Sequence, residues 1–396
     1  MSGEAPGEFA RGWRVLLAAA TGVACGLSGI PFYALSSFIA PLHADFGWTR
    51  GEIGVAGTIL VVGNFFTGPI VGHICDRYGA RRLVLPSIAL LALATAGLRF
   101  IGGPLLTLYG GYALVVIVGA ATTSVTYTRV VTTWFNRSRG LALGITMAGS
   151  GVIAIFTPLL MAQVIGSFGW RAAYLACGLI TLIPIPLIAL SLRELGRGET
   201  ASAVSGAMPR AAVRDRRFWT LVAAAALISP AISAVVIHLQ PILADIGLSA
   251  PRAARSAALL GVGIILGRFL SGSLLDRFNG PVVAMLLFLM PAAGYLLLYS
   301  QWSAVVPAAV LIVGMSLGAE GDVFAFFISR YFGLRSYAEL FGWIFGVMCL
   351  GGAAGPLIIL MLPVSHGYGV ALRLFACLCV AAALLLRTLG RYPHWE

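Results

Sequence analysis

The sequence has no lysine and few charges of any kind. Of its 396 residues, 10% are charged and 59% belong to the hydrophobic set, and the mean hydropathy is +0.96. A soluble domain usually carries about a quarter charged residues. This chain could not coat a water-facing core. That excludes a cytosolic enzyme, a disordered protein and a secreted disulfide scaffold, and leaves a polytopic membrane protein. Without lysine there is no Schiff-base or P-loop chemistry. The six cysteines (Cys25, Cys75, Cys177, Cys349, Cys377, Cys379) lie in or beside apolar runs with no metal-ligand spacing. They read as small packing residues. Acids are scarce as well: 14 against 26 arginines, for a net charge of +12. In a soluble protein that balance would point to nucleic acid. In an apolar chain it points to arginines held in cytoplasmic loops.

What is present is long apolar runs. Hydropathy gives twelve, at 14–41, 52–74, 82–101, 105–133, 139–166, 171–192, 217–241, 251–276, 281–299, 303–331, 337–363 and 367–388. Each is long enough to cross ~30 Å of hydrocarbon at ~1.5 Å per residue. The first lacks a small-residue cleavage site and reads as a retained span. The polar, arginine-rich stretch 193–216 is the one plausible linker. It divides the chain into six-span units at 1–192 and 217–396. With both termini in the cytoplasm, eighteen arginines fall on that side and six outside, while Arg129 and Arg268 lie within spans. The bias sets the expected orientation in a cell inner membrane.

The two halves repeat each other. Pro41-Leu-His-Ala44-Asp45-Phe-Gly47 recurs as Pro241-Ile-Leu-Ala244-Asp245-Ile-Gly247. In the same register, Gly72-x-x-x-Asp76-Arg77-Tyr78 recurs as Gly272-x-x-x-Asp276-Arg277-Phe278. At an offset of 198, Gly144 pairs with Gly342 and Pro158-Leu159 with Pro356-Leu357. The expected fold is all-α, twelve transmembrane helices in two pseudo-symmetric six-helix bundles. This is the architecture of an alternating-access transporter.

Four ionisable side chains remain inside spans: Arg129, Arg268, Glu320 and Asp322. Helical rise places Arg268 ~12 Å from the end of its span at Asp276, Asp322 ~12 Å from Arg330, and Glu320 ~15 Å from it. Charges near mid-bilayer are costly and should face a cavity and one another. Arginine stays charged and offers a planar fork to a carboxylate. A buried carboxylate, in contrast, can take a proton near neutral pH. Arg268 is therefore the expected anion anchor. Glu320 or Asp322 is the expected proton carrier, against polar glue between helices. At the 198 offset, Thr122 and Ser124 match these two acids. Ser124 and Tyr127 offer uncharged hydrogen bonds to a substrate, with packing as the alternative for Tyr127. Arg129 is either a second anion contact or a cytoplasmic gate. His238 is a proton relay, an outer gate or an interfacial histidine. Asn64 and Tyr33 are polar breaks that would line the cavity. Asp76, Arg77, Asp276 and Arg277 are candidate gating residues, because acids there can pair with helix N-termini or arginines.

Gly72-His-Ile-Cys-Asp76-Arg77-Tyr-Gly79-Ala-Arg81-Arg82 resembles the loop signature of the major facilitator superfamily. Trp134-Phe135-Asn-Arg137-Ser-Arg139-Gly140 with Gly144, Gly149, Gly151 and Gly169-Trp170-Arg171 is similar to the signature of its monocarboxylate porter family, which includes oxalate/formate-type antiporters. Phe46-Gly47-Trp48-Thr49-Arg50 and Arg330-Tyr331-Phe332-Gly333 fit the same family. The resemblance implies an arginine on the eighth helix, matched by Arg268. Animal members also carry an aspartate four residues earlier, where this chain has Ile264, and a lysine on the first helix, where Tyr33 is the expected occupant. Proton handling therefore cannot be carried over from those members.

The expectation is a non-enzymatic, proton-coupled symporter of a small organic monocarboxylate. The coupling ion is a proton, with no other cofactor and no metal. The partners are the substrate and the lipid bilayer, with no nucleic acid, and the protein is expected to function as a monomer. Organic-anion antiport is the nearest alternative. Proton-driven drug efflux and a non-transporting sensor stand further off. A central arginine argues against cationic cargo.

Overall fold

The computed structural model describes residues 7–192, 206–362 and 368–393. Among these, eleven helical runs are long and apolar enough to cross a membrane. We number the crossings α1 (Glu8–Phe46), α2 (Arg50–Tyr78), α3 (Ala80–Phe100), α4 (Leu106–Trp134), α5 (139–168), α6 (170–191), α7 (Arg216–Ile237), α8 (Ala250–Arg277), α9 (Gly280–Tyr299), α10 (Val306–Tyr331), α11 (Tyr337–Met361) and α12 (Gly369–Arg387). Crossings α5 and α6 form one run, Arg139–Ser191. Fifty-three residues would span ~80 Å if straight. The run instead folds back at Gly169, whose φ of 78° is open to glycine and strained for other residues. Past the turn, the Trp170 indole donates to Asp45 at the end of α1, and Arg81 at the start of α3 donates to the Ala189 carbonyl. The run thus traverses the bundle twice.

The repeated Pro/Ala/Asp/Gly loop has a local physical meaning. Gly47 and Gly247 both end a helix in the left-handed region, at φ 71° and 82°. Each amide bonds back to a helix carbonyl, His43 and Ala244 respectively. Thr49 and Glu52 then start α2 with a reciprocal capping box. These polar interactions explain why α2 begins at Arg50 rather than at the hydropathy edge.

Four crossings are broken: α6 turns at residues 182–183, between Thr181 and Pro184, and three more breaks follow. α1 has a turn at residues 26–29, between Glu8–Cys25 and Ile30–Phe46. α4 passes through a 3₁₀ turn at Ala120–Thr122. The two breaks meet, since the Leu27 amide donates to Thr122 Oγ1 at 2.9 Å. α7 stops at Ile237 and resumes as Leu239–Asp245. Freed backbone groups at such depth need partners from within the protein.

Residues 193–205 of the expected linker lie outside the described residues. The remainder is not simply loop. Gly206 bridges to Gly333, the Ala207 amide donates to the Phe332 carbonyl at 2.8 Å, and Pro209–Arg214 forms a short helix with Ala212 buried. All six cysteines are free thiols.

Both described chain termini sit at one end of the bundle, the near end. There the Glu8 carboxylate accepts from the amides of Asn136, Arg137 and Ser138, and Tyr331 donates to the Gly390 carbonyl. The two six-helix units touch most closely at this same end. A methyl on Gly72 would overlap the Ala338 carbonyl, and one on Gly272 would meet the Gly140 carbonyl at 2.5 Å. Toward the far end the units diverge. Gly351 and Gly355 of α11 pack on Pro230 of α7, within their own unit, while Gly54 of α2 and Gly352 of α11 face open space.

Candidate functional site

Arg268 of α8 projects between the units. Its Nη1 lies 3.4 Å from Asp322 Oδ1 of α10, and its Nη2 donates to Ser150 Oγ of α5 at 3.3 Å. Its Nε is buried without a hydrogen bond among the described residues. The aspartate side chain is 0% exposed and the arginine 13%. Ser271, one turn below Arg268, donates to the other oxygen, Asp322 Oδ2, at 3.5 Å. These bonds are long for charged partners, whose usual separation is ~2.7–2.9 Å. The guanidinium is thus held loosely, with its Nε–H unspent among the described residues. Tyr33 of α1 comes within electrostatic reach of it from the opposite unit. No hydrogen bond joins Tyr33 to Arg268 among the described residues.

The structure separates the two acids of α10. Glu320 does not join Arg268. Its Oε1 accepts from the Ser229 hydroxyl of α7, inside the C-terminal unit. The reason is helical geometry: residues two apart point ~200° apart around an α-helix. The expectation that both acids pair with Arg268 is therefore corrected: the direct contact is with Asp322, while Glu320 is bonded to Ser229 and interacts with the guanidinium only at longer range.

Arg129 lies in the near-end cluster rather than with Arg268. Its Nε donates to Asp76 Oδ1 of α2 at 2.8 Å. Asp76 also accepts from the amides of Ala338 and Glu339, at 3.3 and 3.0 Å, at the start of α11. Asp276 does the same in the other half, accepting from Gly140 and Leu141 at the start of α5, at 2.7 and 2.9 Å. Each aspartate thus caps a helix N-terminus of the opposite unit, where the helix dipole favours negative charge. Arg77 and Arg277 take no part in these bonds. Both are exposed, and Arg77 lies over the ring of Tyr78. The gate instead gains Arg330, which donates to the Asn136 carbonyl at 2.8 Å, and a His73–Glu339 pair at 2.9 Å.

Tyr127 is also corrected. It is fully buried within the N-terminal unit, with its ring against Gly22 of α1, and its hydroxyl finds no partner there. Packing of an aromatic against a glycine outweighs exposure to the interface. Ser124 is buried at the α4 break with an unpartnered hydroxyl, and Asn64 donates to the Leu60 carbonyl of its own helix. His238 occupies the break in α7. Its Nδ1 faces the Ala234 carbonyl at 3.0 Å, and its ring is 5.9 Å from that of Tyr368. It lies nine residues beyond Ser229, or ~13 Å along the helix, and does not meet the acids.

Sequence reasoning missed the serines that hold these charges: Ser150, Ser229 and Ser271. Ser150 stood in view between Gly149 and Gly151 of a quoted motif. Ser229 and Ser271 carry no pattern of their own.

The family model of the Major Facilitator Superfamily matches residues 21–356. The chain belongs to this superfamily. Among superfamily relatives, mouse Monocarboxylate transporter 11 is 26% identical over 364 residues, covering 87% of this chain and 80% of that protein. The gallate transporter of Pseudomonas putida is 26% identical over 372 residues, covering 82% and 80%. The fold agrees with solved superfamily structures. One is FucP in the outward conformation, with TM-score 0.73, 16% identity and coverage of 96% and 98%. Another is the human organic anion transporter TETRAN, with TM-score 0.74, 16% identity and coverage of 96% and 100%. The protein is a multi-pass membrane transporter, not an enzyme.

Proposed function

We propose that the chain carries a small organic monocarboxylate together with a proton by alternating access. The observation that carries this reading is Arg268, buried between the units with a free Nε and only a 3.4 Å contact to Asp322. A substrate carboxylate competes with Asp322 for the guanidinium fork. Protonation of Asp322 removes its charge and leaves Arg268 to the substrate, so proton and anion bind together. The relatives named for monocarboxylate and gallate transport support an organic-acid cargo. The arginine distribution supports cytoplasmic termini in a bacterial inner membrane, with the described conformation open to the outside. No metal or organic cofactor enters the scheme, and a single chain holds the complete site.

The test is uptake of labelled benzoate, gallate and lactate into proteoliposomes, with and without an inward proton gradient. Accumulation of at least one acid should follow the gradient and vanish in Arg268→Gln. Uptake that ignores the gradient and needs internal substrate would replace symport with exchange. Unchanged carboxylate transport by Arg268→Gln would remove the anion site itself.

A further inference from the structure

A second arginine site lies away from the transport path. At the far end, a cavity of about 580 Å³ opens between the start of α8 and the α9–α10 turn. Its lining includes Arg252, Arg255 and Ser256 of α8, with Gln301 and Ser303 of the turn. We propose that this cavity binds the phosphate headgroup of an anionic phospholipid.

Placement on the helix decides which solvent the cavity meets. Gly263 and Gly267 face α10 so closely that a methyl on either would overlap the carbonyls of Leu311 or Met315. Arg252, Ser256 and Leu259 continue that face toward the far end at spacings of four, three and four residues, and these spacings keep one side of an α-helix. Above the Gly263–Leu311 approach, the two helices part and the cavity begins. Arg255 heads a different stripe, with Val262, Leu266 and Phe269 at seven, eleven and fourteen residues. Those three apolar side chains are exposed, on the side of α8 away from Ile264 and Arg268. In a transporter this is the lipid-facing side. The cavity therefore sits where a basic pocket meets the end of an apolar stripe, at the level of the headgroups. Trp302 and Tyr299, both exposed beside it, match the aromatic belt of that level.

The chemistry is that of an anion site with an apolar floor. Neither Arg252 nor Arg255 has an acidic partner within 4 Å among the described residues. The Ser256 residue is 7% exposed, lines the cavity, and makes no side-chain hydrogen bond among them. Leu248, Leu259, Ala304 and Pro307 supply surface for the glycerol and first acyl carbons. Gln301, at the rim, has φ 56°, the only positive φ at a non-glycine among the described residues. Such a conformation persists where the surroundings enforce it, and it is often found at binding sites. Basic pockets between membrane helices bind anionic headgroups on the cytoplasmic side of membranes, and the same charge chemistry is available to this pocket at the opposite surface.

The experiment is thermal unfolding of the full-length protein in detergent, with phosphatidylglycerol, phosphatidylcholine or inorganic phosphate added. Phosphatidylglycerol should raise the midpoint by roughly 3 °C or more, and phosphatidylcholine should not. The double variant Arg252→Gln/Arg255→Gln should lose that shift, while Arg99→Gln, at the same end of the bundle, keeps it. A shift that survives in the double variant overturns the site. An equal shift from inorganic phosphate at matched concentration overturns the lipid as its source. If the double variant does not fold, native mass spectrometry of the unmodified protein decides. Retention of phosphatidylglycerol over phosphatidylcholine upholds the proposal, and equal retention rejects it.

Discussion

Replacing Asp276 with asparagine tests whether the near-end closure rests on capped helix termini. The native carboxylate receives the Gly140 and Leu141 amides at 2.7 and 2.9 Å, both from the opposite unit. An asparagine has one acceptor oxygen, and its NH₂ would face the second amide. A bond to a charged acceptor is worth about 1.5–3 kcal/mol net, against about 0.5–1.5 for a neutral one. Losing the charge on both bonds costs about 2 kcal/mol in total, and the helix-dipole interaction adds roughly 0.3–1 kcal/mol. At 1.4 kcal/mol per factor of ten, the closed near end should lose population about 45- to 140-fold relative to its open counterpart. Hydrogen–deuterium exchange reads this directly, because the amides of residues 140 and 141 are the bonded groups. Peptides covering the start of α5 should exchange faster by about that factor, while the midpoint of thermal unfolding changes little. Asp76→Asn should give a similar acceleration at residues 338 and 339, since it too loses two cross-unit amides. It should also lower the unfolding midpoint more than Asp276→Asn does, because it additionally removes the charge from the Arg129–Asp76 pair inside the N-terminal unit. Unchanged exchange at 140–141 in Asp276→Asn would refute the capping argument. Equal thermal losses in the two variants would refute the separation of gate from structural pair.

Other expectations follow from the same contacts. Gly72→Ala and Gly272→Ala place a methyl against carbonyls of the opposite unit; each should speed amide exchange at the near end, as the aspartate variants do. Gly22→Ala meets the Tyr127 ring and should destabilise the N-terminal unit by about 1–3 kcal/mol, read as a lowered unfolding midpoint. Ser229→Ala leaves Glu320 without its hydroxyl donor; it should cost about 1–3 kcal/mol in stability while carboxylate binding at Arg268 persists.

The helical fold, the crossings and the pairing of Arg268 with Asp322 were legible in the sequence. Apolar runs, loop arginines and a shared register are properties of residues in order. Partnerships across space were less so. Depth along the helix axis put Arg268, Glu320 and Asp322 at one level, but depth carries no azimuth. The separation of Glu320 from Asp322 was in principle readable from their spacing of two residues. The capture of Arg129 by Asp76 was not, because it depends on how α4 packs on α2. Tyr127 shows the same limit from the other side. Its burial follows from Gly22, 105 positions earlier, which leaves room for an aromatic ring. Arg77 and Arg277 share the motif with the capping aspartates, yet one residue of helix turns them toward solvent.

Thr122 and Glu320 occupy equivalent positions in the two repeats, 198 residues apart. Each ties the fourth helix of its unit to the first: Thr122 through the Leu27 amide, Glu320 through the Ser229 hydroxyl. A threonine hydroxyl keeps its proton at any pH the cell meets, whereas a carboxylate can gain one. Acidification can therefore relax one tie and not its twin. At this one position, then, duplication has left a tie without an ionisable group in the N-terminal unit and a tie with one in the C-terminal unit.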